Sequence, residues 1–305
     1  MATTALIAYA VGTEQMLDTC LSAIERHIPG EELIVRVITD QWGYGGALDA
    51  IASHNANVLV YDIGFVDNGS EMHGKLLDSA IKEVDTEYVL TLDSDCFPIS
   101  DNWLGHLVGL HKQGAEIAGI LWPWIPPPED LNKAEIEYRI RRNHCWNNTQ
   151  VVCQLVRKDF VVQNGLSFVE GDDTGFSICD AARSRNLLIG GLMPTRCALP
   201  RGDLDPEFNR HVCVIYGDMI YHQGGSSRKA QGASIDPLGL YDEARERVFQ
   251  EKGAEWIMAD GNSHRYRLDR EEEVAQFKMN VMFREMLKYL ETHDRLFDSK
   301  ERKVE

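Results

Sequence analysis

Apolar residues in this chain gather into short runs, separated by longer stretches in which they recur every three or four positions. Four such runs, Ala5 to Ala10, Leu33 to Thr39, Asn57 to Ile63 and Glu87 to Leu92, fall within the first third of the chain. They are apolar at nearly every position, as strands covered on both faces are. Between them, Glu14 to Ile28 sets Met16, Leu17, Leu21, Ile24 and Ile28 on one helical stripe, and Ala47 to His54 and Lys75 to Val84 behave alike. Strand and helix therefore alternate, which predicts an α/β fold with a mostly parallel central sheet flanked by helices.

Asn102 to Gln113 reads as a fourth helix and Glu116 to Leu121 as a further strand. The pattern then breaks at Trp122-Pro123-Trp124-Ile125-Pro126-Pro127-Pro128. Proline lacks a backbone donor and restrains its predecessor, so this is a stiff loop between two halves. A polar helix from about Glu129 to Arg142, a strand from Gln150 to Val156 and a helix from about Asp173 to Ser184 are predicted next. Short strands at Val212 to Tyr216 and Met219 to His222 follow, then a glycine- and serine-rich stretch, Gln223 to Ser234. The charged tail Arg270 to His293 carries Val274, Phe277, Val281, Leu287 and Leu290 at helical spacing. That stripe is expected to dock on the body, with docking on another subunit as the alternative.

Composition narrows the field. Of 305 residues 44% are hydrophobic and 26% charged, which suits a globular chain able to bury a core. The formal net charge is −17, so the average surface repels polyanions and anionic lipid. Nucleic acid becomes a weaker expectation as partner, although carboxylates gathered around a metal ion would be partly neutralised by it. The 7 cysteines form no C-x-x-C pair and are odd in number, pointing to a reducing cytoplasm. The N-terminal apolar run is short and has no basic residue before it, so it reads as a strand rather than a secretory signal. No uncharged apolar stretch approaches the length of a membrane span.

Three acidic or histidine-bearing elements carry the chemistry. The run Tyr88-Val89-Leu90-Thr91-Leu92 ends abruptly in Asp93-Ser94-Asp95. Ligands of open α/β sheets sit beyond the carboxyl ends of the strands, where this pair emerges. Two hard oxygen donors there suit Mg²⁺ or Mn²⁺, which keep positions open for phosphate oxygens and water. Helix capping and loop turning are the plainer account of the same acids. The second element, Glu170-Gly171-Asp172-Asp173-Thr174-Gly175, opens the helix predicted from about Asp173. One of its acids is expected to be the N-cap, leaving the other free to act. The third, His222 followed by Arg228 and Lys229, offers a neutral ligand and then cations suited to phosphate; an ordinary surface or core histidine is the alternative.

Together these residues resemble the A-type glycosyltransferases, a Rossmann-like fold, and glycosyltransferase family 2 in particular. The resemblance covers about residues 3 to 230. It implies a catalytic domain over 1–235, with a nucleotide-binding half at 1–121, an acceptor half at 122–235 and a helical extension at 236–305. It further implies that Asp93 contacts the ribose or the metal of a nucleotide-sugar donor, a UDP-sugar above all. Asp95 then ligates Mn²⁺ or Mg²⁺ and His222 is a third ligand. Asp173 corresponds to the catalytic carboxylate, with Asp172 beside it where Glu is more usual. Asp40 corresponds to the acid that receives the pyrimidine N–H, though a turn at Asp40-Gln41-Trp42-Gly43 explains it equally. Lys75 falls where basic residues approach the diphosphate, with a solvated helix lysine as the alternative. Two departures stand out: Ala10-Val11-Gly12-Thr13 replaces the proline-containing opening of the family, and Asp67-Asn68-Gly69-Ser70 follows the third run rather than the second.

Rival readings differ in what they need. A sugar-phosphate nucleotidyltransferase wants a glycine-rich, lysine-bearing loop after the first strand, where Gly12 stands alone. A glycoside hydrolase uses two carboxylates without a cation or a nucleotide pocket. A non-catalytic nucleotide-sugar or carbohydrate-binding module would use Trp122, Trp124, Trp146 and Tyr138 as stacking faces. The acceptor hydroxyl is not specified; Arg139, Arg141 and Arg142 suit an anionic acceptor, with a solvated helix face as the plainer account, and a hydroxylated nucleic-acid base is one alternative.

Overall fold

The computed structural model describes residues 2–27, 33–66, 69–121, 149–170, 174–192, 194–197 and 214–224. The proline-rich loop, the polar helix after it, Asp172, Asp173, Arg228 and the predicted C-terminal helix lie outside the described residues.

A seven-stranded sheet has the order β3-β2-β1-β4-β7-β6-β8. Its strands are β1 (Thr3–Ala8), β2 (Leu33–Asp40), β3 (Asn57–Tyr61), β4 (Tyr88–Asp93), β6 (Ala115–Leu121), β7 (Thr149–Arg157) and β8 (Leu188–Leu192). β1, β2, β3 and β4 are mutually parallel, β6 and β8 pair in parallel, and β7 runs antiparallel to both β4 and β6. The mostly parallel sheet read from the sequence is thus present. A second, four-stranded antiparallel sheet has the order β5-β11-β10-β9, built from β5 (Cys96–Pro98), β9 (Pro194–Cys197), β10 (Val214–Tyr216) and β11 (Ile220–His222).

Six helices flank the large sheet among the described residues: α1 (Glu14–Arg26), α2 (Tyr44–Ile51), α3 (Gly69–Ala80), α4 (Trp103–Lys112), α5 (Lys158–Gln163) and α6 (Phe176–Ser184). α1 buries Met16, Leu17, Leu21 and Ile24, as its periodicity predicts. α4 lies within the predicted Asn102 to Gln113, which are its two cap positions. α2 and α3 begin earlier than the apolar spacing predicts, because Tyr44-Gly45-Gly46 and Gly69-Ser70-Glu71 carry no apolar periodicity.

One expectation is corrected. Neither acid of the Gly171-Asp172-Asp173 stretch is the N-cap of the following helix. α6 starts at Phe176 and its cap position is Gly175, at φ 75°. Glycine occupies that left-handed conformation without the steric penalty a side chain would bring. The helix therefore begins later than the acids do.

The sheet separates two apolar layers. One gathers α1, α4, β5 and the small sheet around Leu17, Leu21, Trp103, Leu107, Tyr216 and Tyr221. The other packs α3, α5 and α6 through Leu76, Leu77, Phe160, Phe168 and Ile178. Trp103 is wholly buried and its indole N–H donates to the His27 carbonyl at 3.1 Å, so burial leaves no polar group unmet there.

Candidate active site

β4 is an interior strand between β1 and β7, and Val89, Leu90 and Leu92 are fully buried. Thr91 is buried among them, its hydroxyl donating to the carbonyls of Val151 and Gln154. The strand stops at Asp93, which pairs in register with Ala8, the last residue of β1. A carboxylate cannot go one residue deeper without a costly desolvation, so the acid marks the rim of the sheet. Ser94 turns the chain, its hydroxyl 3.3 Å from that of Thr13, which in turn donates to the Ala10 carbonyl at 2.7 Å. The β1 loop, the start of α1 and the acidic turn are tied together in this way.

Asp95 is 5% exposed, and the antiparallel pairing of β5 with β11 aligns Cys96 with His222. The Gln223 N–H donates to the Asp95 carbonyl at 2.9 Å. These backbone links bring His222 Nε2 to 3.8 Å from Asp95 Oδ1. That is too long for a hydrogen bond, and Nδ1 of the same buried ring meets no hydrogen-bond partner among the described residues. Histidine and aspartate, far apart in sequence, thus face each other across a small gap.

Asp93 turns elsewhere. Its Oδ1 lies 3.3 Å from His73 Nε2 on α3, a charge contact outside hydrogen-bond geometry, and its side chain keeps 28% exposure against 8% for Asp95. The two acids of the motif therefore have different imidazole partners on different elements.

The other candidates take plainer places. Asp40 ends β2, and its Oδ1 accepts the Trp42 and Gly43 N–H groups at 3.0 and 2.9 Å, the turn role weighed for it. Lys75 pairs with Glu71 one helical turn away at 2.8 Å, on a half-exposed face of α3. Asp172 and Asp173 fall between Glu170 and Thr174, both described; Thr174 donates its hydroxyl to the Ser70 carbonyl on α3 at 2.9 Å.

Cys20, Cys96 and Cys153 are fully buried behind the acidic turn. Burial raises the thiol pKa of Cys20, with the negative charge of Asp95 adding to it. Cys96 is raised by burial and by its contact with Cys153. Both stay protonated and pack as small apolar groups.

A divalent cation fits part of this arrangement. Asp95 and His222 converge with a gap between them, and Mg²⁺ or Mn²⁺ often takes only one or two protein donors with phosphate oxygens and water completing the shell. Among the described residues no group of three histidine, cysteine, aspartate or glutamate side chains converges to hold a metal ion.

Apolar spacing starts α3 at Lys75 and leaves His73 outside it, whereas the helix begins at Gly69. Spacing held the signal: 73, 76, 77 and 80 form one stripe of α3, and Leu76, Leu77 and Ala80 are buried.

No protein-family model and no curated protein matches the chain. Among solved structures it is similar to S. aureus TarS in complex with UDP-GlcNAc, with 16% identity and a TM-score of 0.41 over 59% of this chain and 53% of that one. The chain thus spans about half the length of that structure. It is also similar to the 4-diphosphocytidyl-2C-methyl-D-erythritol synthase of Anaerococcus prevotii, with 12% identity and a TM-score of 0.44 over 63% of this chain and 86% of that one. These likenesses concern fold and carry no statement about activity. No helix among the described residues is long and apolar enough to cross a membrane.

Proposed function

We propose that the chain is a glycosyltransferase that moves a sugar from a nucleotide-sugar donor, a UDP-sugar above all, to an acceptor hydroxyl. The observation that carries this reading is the end of β4: two acids leave the carboxyl rim of a mostly parallel sheet, and β11 brings His222 to face the second of them. A diphosphate bridged by a divalent cation is the ligand such a rim suits, because the acids hold the cation and the cation neutralises charge where a nucleotide departs.

In this reading Asp95 and His222 hold Mg²⁺ or Mn²⁺. When bound, the cation supplies Lewis-acid neutralisation of the leaving diphosphate. Asp93 receives ribose hydroxyls of the donor as a hydrogen-bond acceptor. Asp173 takes the proton of the attacking hydroxyl, with Asp172 beside it, and one base opposite the leaving group gives inversion at the anomeric carbon. Arg228 follows β11 and serves the diphosphate.

The test is a thermal-shift panel of nucleoside diphosphates and their sugars, with and without Mn²⁺. A ligand that binds only the folded state adds about 2.7 kcal/mol at a hundredfold excess over its Kd. UDP with Mn²⁺ is expected to raise the midpoint of the wild type, and Asp95→Ala to remove the Mn²⁺-dependent part together with donor hydrolysis. Full Mn²⁺-dependent hydrolysis in that variant overturns the proposal.

A further inference from the structure

α3 joins two regions that the sequence keeps about eighty residues apart. Asp78 accepts the Ser167 hydroxyl at 2.5 Å and the Phe168 N–H at 2.7 Å. The Phe168 carbonyl accepts the Gly175 N–H at 2.8 Å, which ties Phe168 to the residue that caps α6. At Gly74 the fit is closest: a Cβ built there would lie 2.9 Å from the backbone of Val169. Gly74 and Asp78, one helical turn apart, therefore seat one face of α3 on Ser167, Phe168 and Val169. His73 is next to Gly74, and its ring is where α3 reaches the acidic rim of the sheet, 3.3 Å from Asp93.

From this geometry we infer that His73 is a positioning residue of the site, acting through Asp93. It holds the Asp93 carboxylate against α3, so that an oxygen of Asp93 is kept ready for the donor's ribose rather than swinging toward the cation. The helix cannot shift to release it, because Gly74 and Asp78 are seated on backbone. Its side chain is 14% exposed, which leaves the ring few other orientations. Asp93 keeps 28% side-chain exposure, and a restraint set on it before the ligand arrives lowers the ordering cost of binding. The inference rests on the nucleotide-sugar reading above and adds to it a residue on α3.

The experiment is calorimetric titration of the full chain with UDP and with 2′,3′-dideoxy-UDP, Mn²⁺ being present throughout. Wild type is expected to prefer UDP by roughly tenfold or more, the worth of hydrogen bonds to a charged acceptor. His73→Ala loses that preference while its affinity for the dideoxy compound stays within about twofold of wild type, since a purely structural role would weaken both ligands together. His73→Asn, too short to reach Asp93, carries the same expectation should the alanine variant fail to fold, and His73→Gln, long enough to reach it, restores part of the preference. Retained preference in both short variants, equal loss for both ligands, or no preference in wild type overturns the role of His73 while leaving the nucleotide site standing. Failure of wild type to bind any nucleoside diphosphate overturns the glycosyltransferase reading itself.

Discussion

His54 shows how much a single ring can carry. Its Nε2 lies 2.9 Å from Asp18 and its Nδ1 3.1 Å from Glu25, both on α1, while the next residue's N–H donates to Glu25 at 2.9 Å. A neutral imidazole has one N–H and two carboxylate acceptors need two, so the contact is complete only when the ring is charged. Burial by itself lowers the His54 pKa, but the bonds to Asp18 and Glu25 outweigh it and the net shift is upward. A group whose pKa rises on folding stabilises the native state fully below its unfolded value, near 6.5, and loses that contribution as pH climbs through the folded value. Denaturant unfolding should therefore show His54→Gln weaker than wild type by about 1–2 kcal/mol at pH 6. The gap should narrow as pH rises toward 9; a constant gap across that range would mean that packing, not charge, holds the ring.

At the level of elements, two glycines in helices should respond in opposite directions to the same change. Gly74 of α3 has Val169 backbone atoms 2.9 Å from the site of an added Cβ, whereas Gly109 of α4 has nothing within 4 Å. Alanine favours helix over glycine by up to about 1 kcal/mol, so Gly109→Ala is expected to raise stability by about that much. Gly74→Ala gains the same propensity but forces α3 off the loop, and overpacking of this kind costs about 1–3 kcal/mol. Thermal midpoints of the two variants check the sign of each.

The same elements mark what a sequence discloses. β1, β2, β4, β6, β7, α1 and α4 were legible because each is buried on one stripe or on both faces, and burial writes itself as apolar spacing. β8 was not: Leu188-Ile189-Gly190-Gly191-Leu192 carries two glycines and reads as a break. β5 and β9 are too short to show a period, and α5 is a turn and a half. At the candidate site, Asp93, Asp95 and His222 are conspicuous in the sequence as polar residues at strand ends, and the fold brings Asp95 and His222 to 3.8 Å. His73 is not conspicuous, because a pairing between α3 and β4 is a fact of packing that neither segment encodes alone.

For the molecule as a whole, the seven-stranded sheet is a partition. Ile24 belongs to the layer under α1 and α4, and Ile178 to the layer under α3, α5 and α6; each is at most 1% exposed, and the two sit in separate apolar clusters. Interiors are packed too densely for a methyl group to vanish unnoticed, so Ile24→Val and Ile178→Val are each expected to cost about 0.5–1.5 kcal/mol. Sites that share no partners add, to within about 0.5 kcal/mol. The double variant should therefore lose the sum of the two, with one cooperative transition and an unchanged denaturant slope, because both layers hang on the same strands. A second transition, or a shortfall well beyond that margin, would mean that the layers unfold separately or repack across the sheet. Only the Ile178 layer contains α3 and Phe168, so a change in the preference for UDP over its dideoxy form, if either variant shows one, belongs with Ile178→Val.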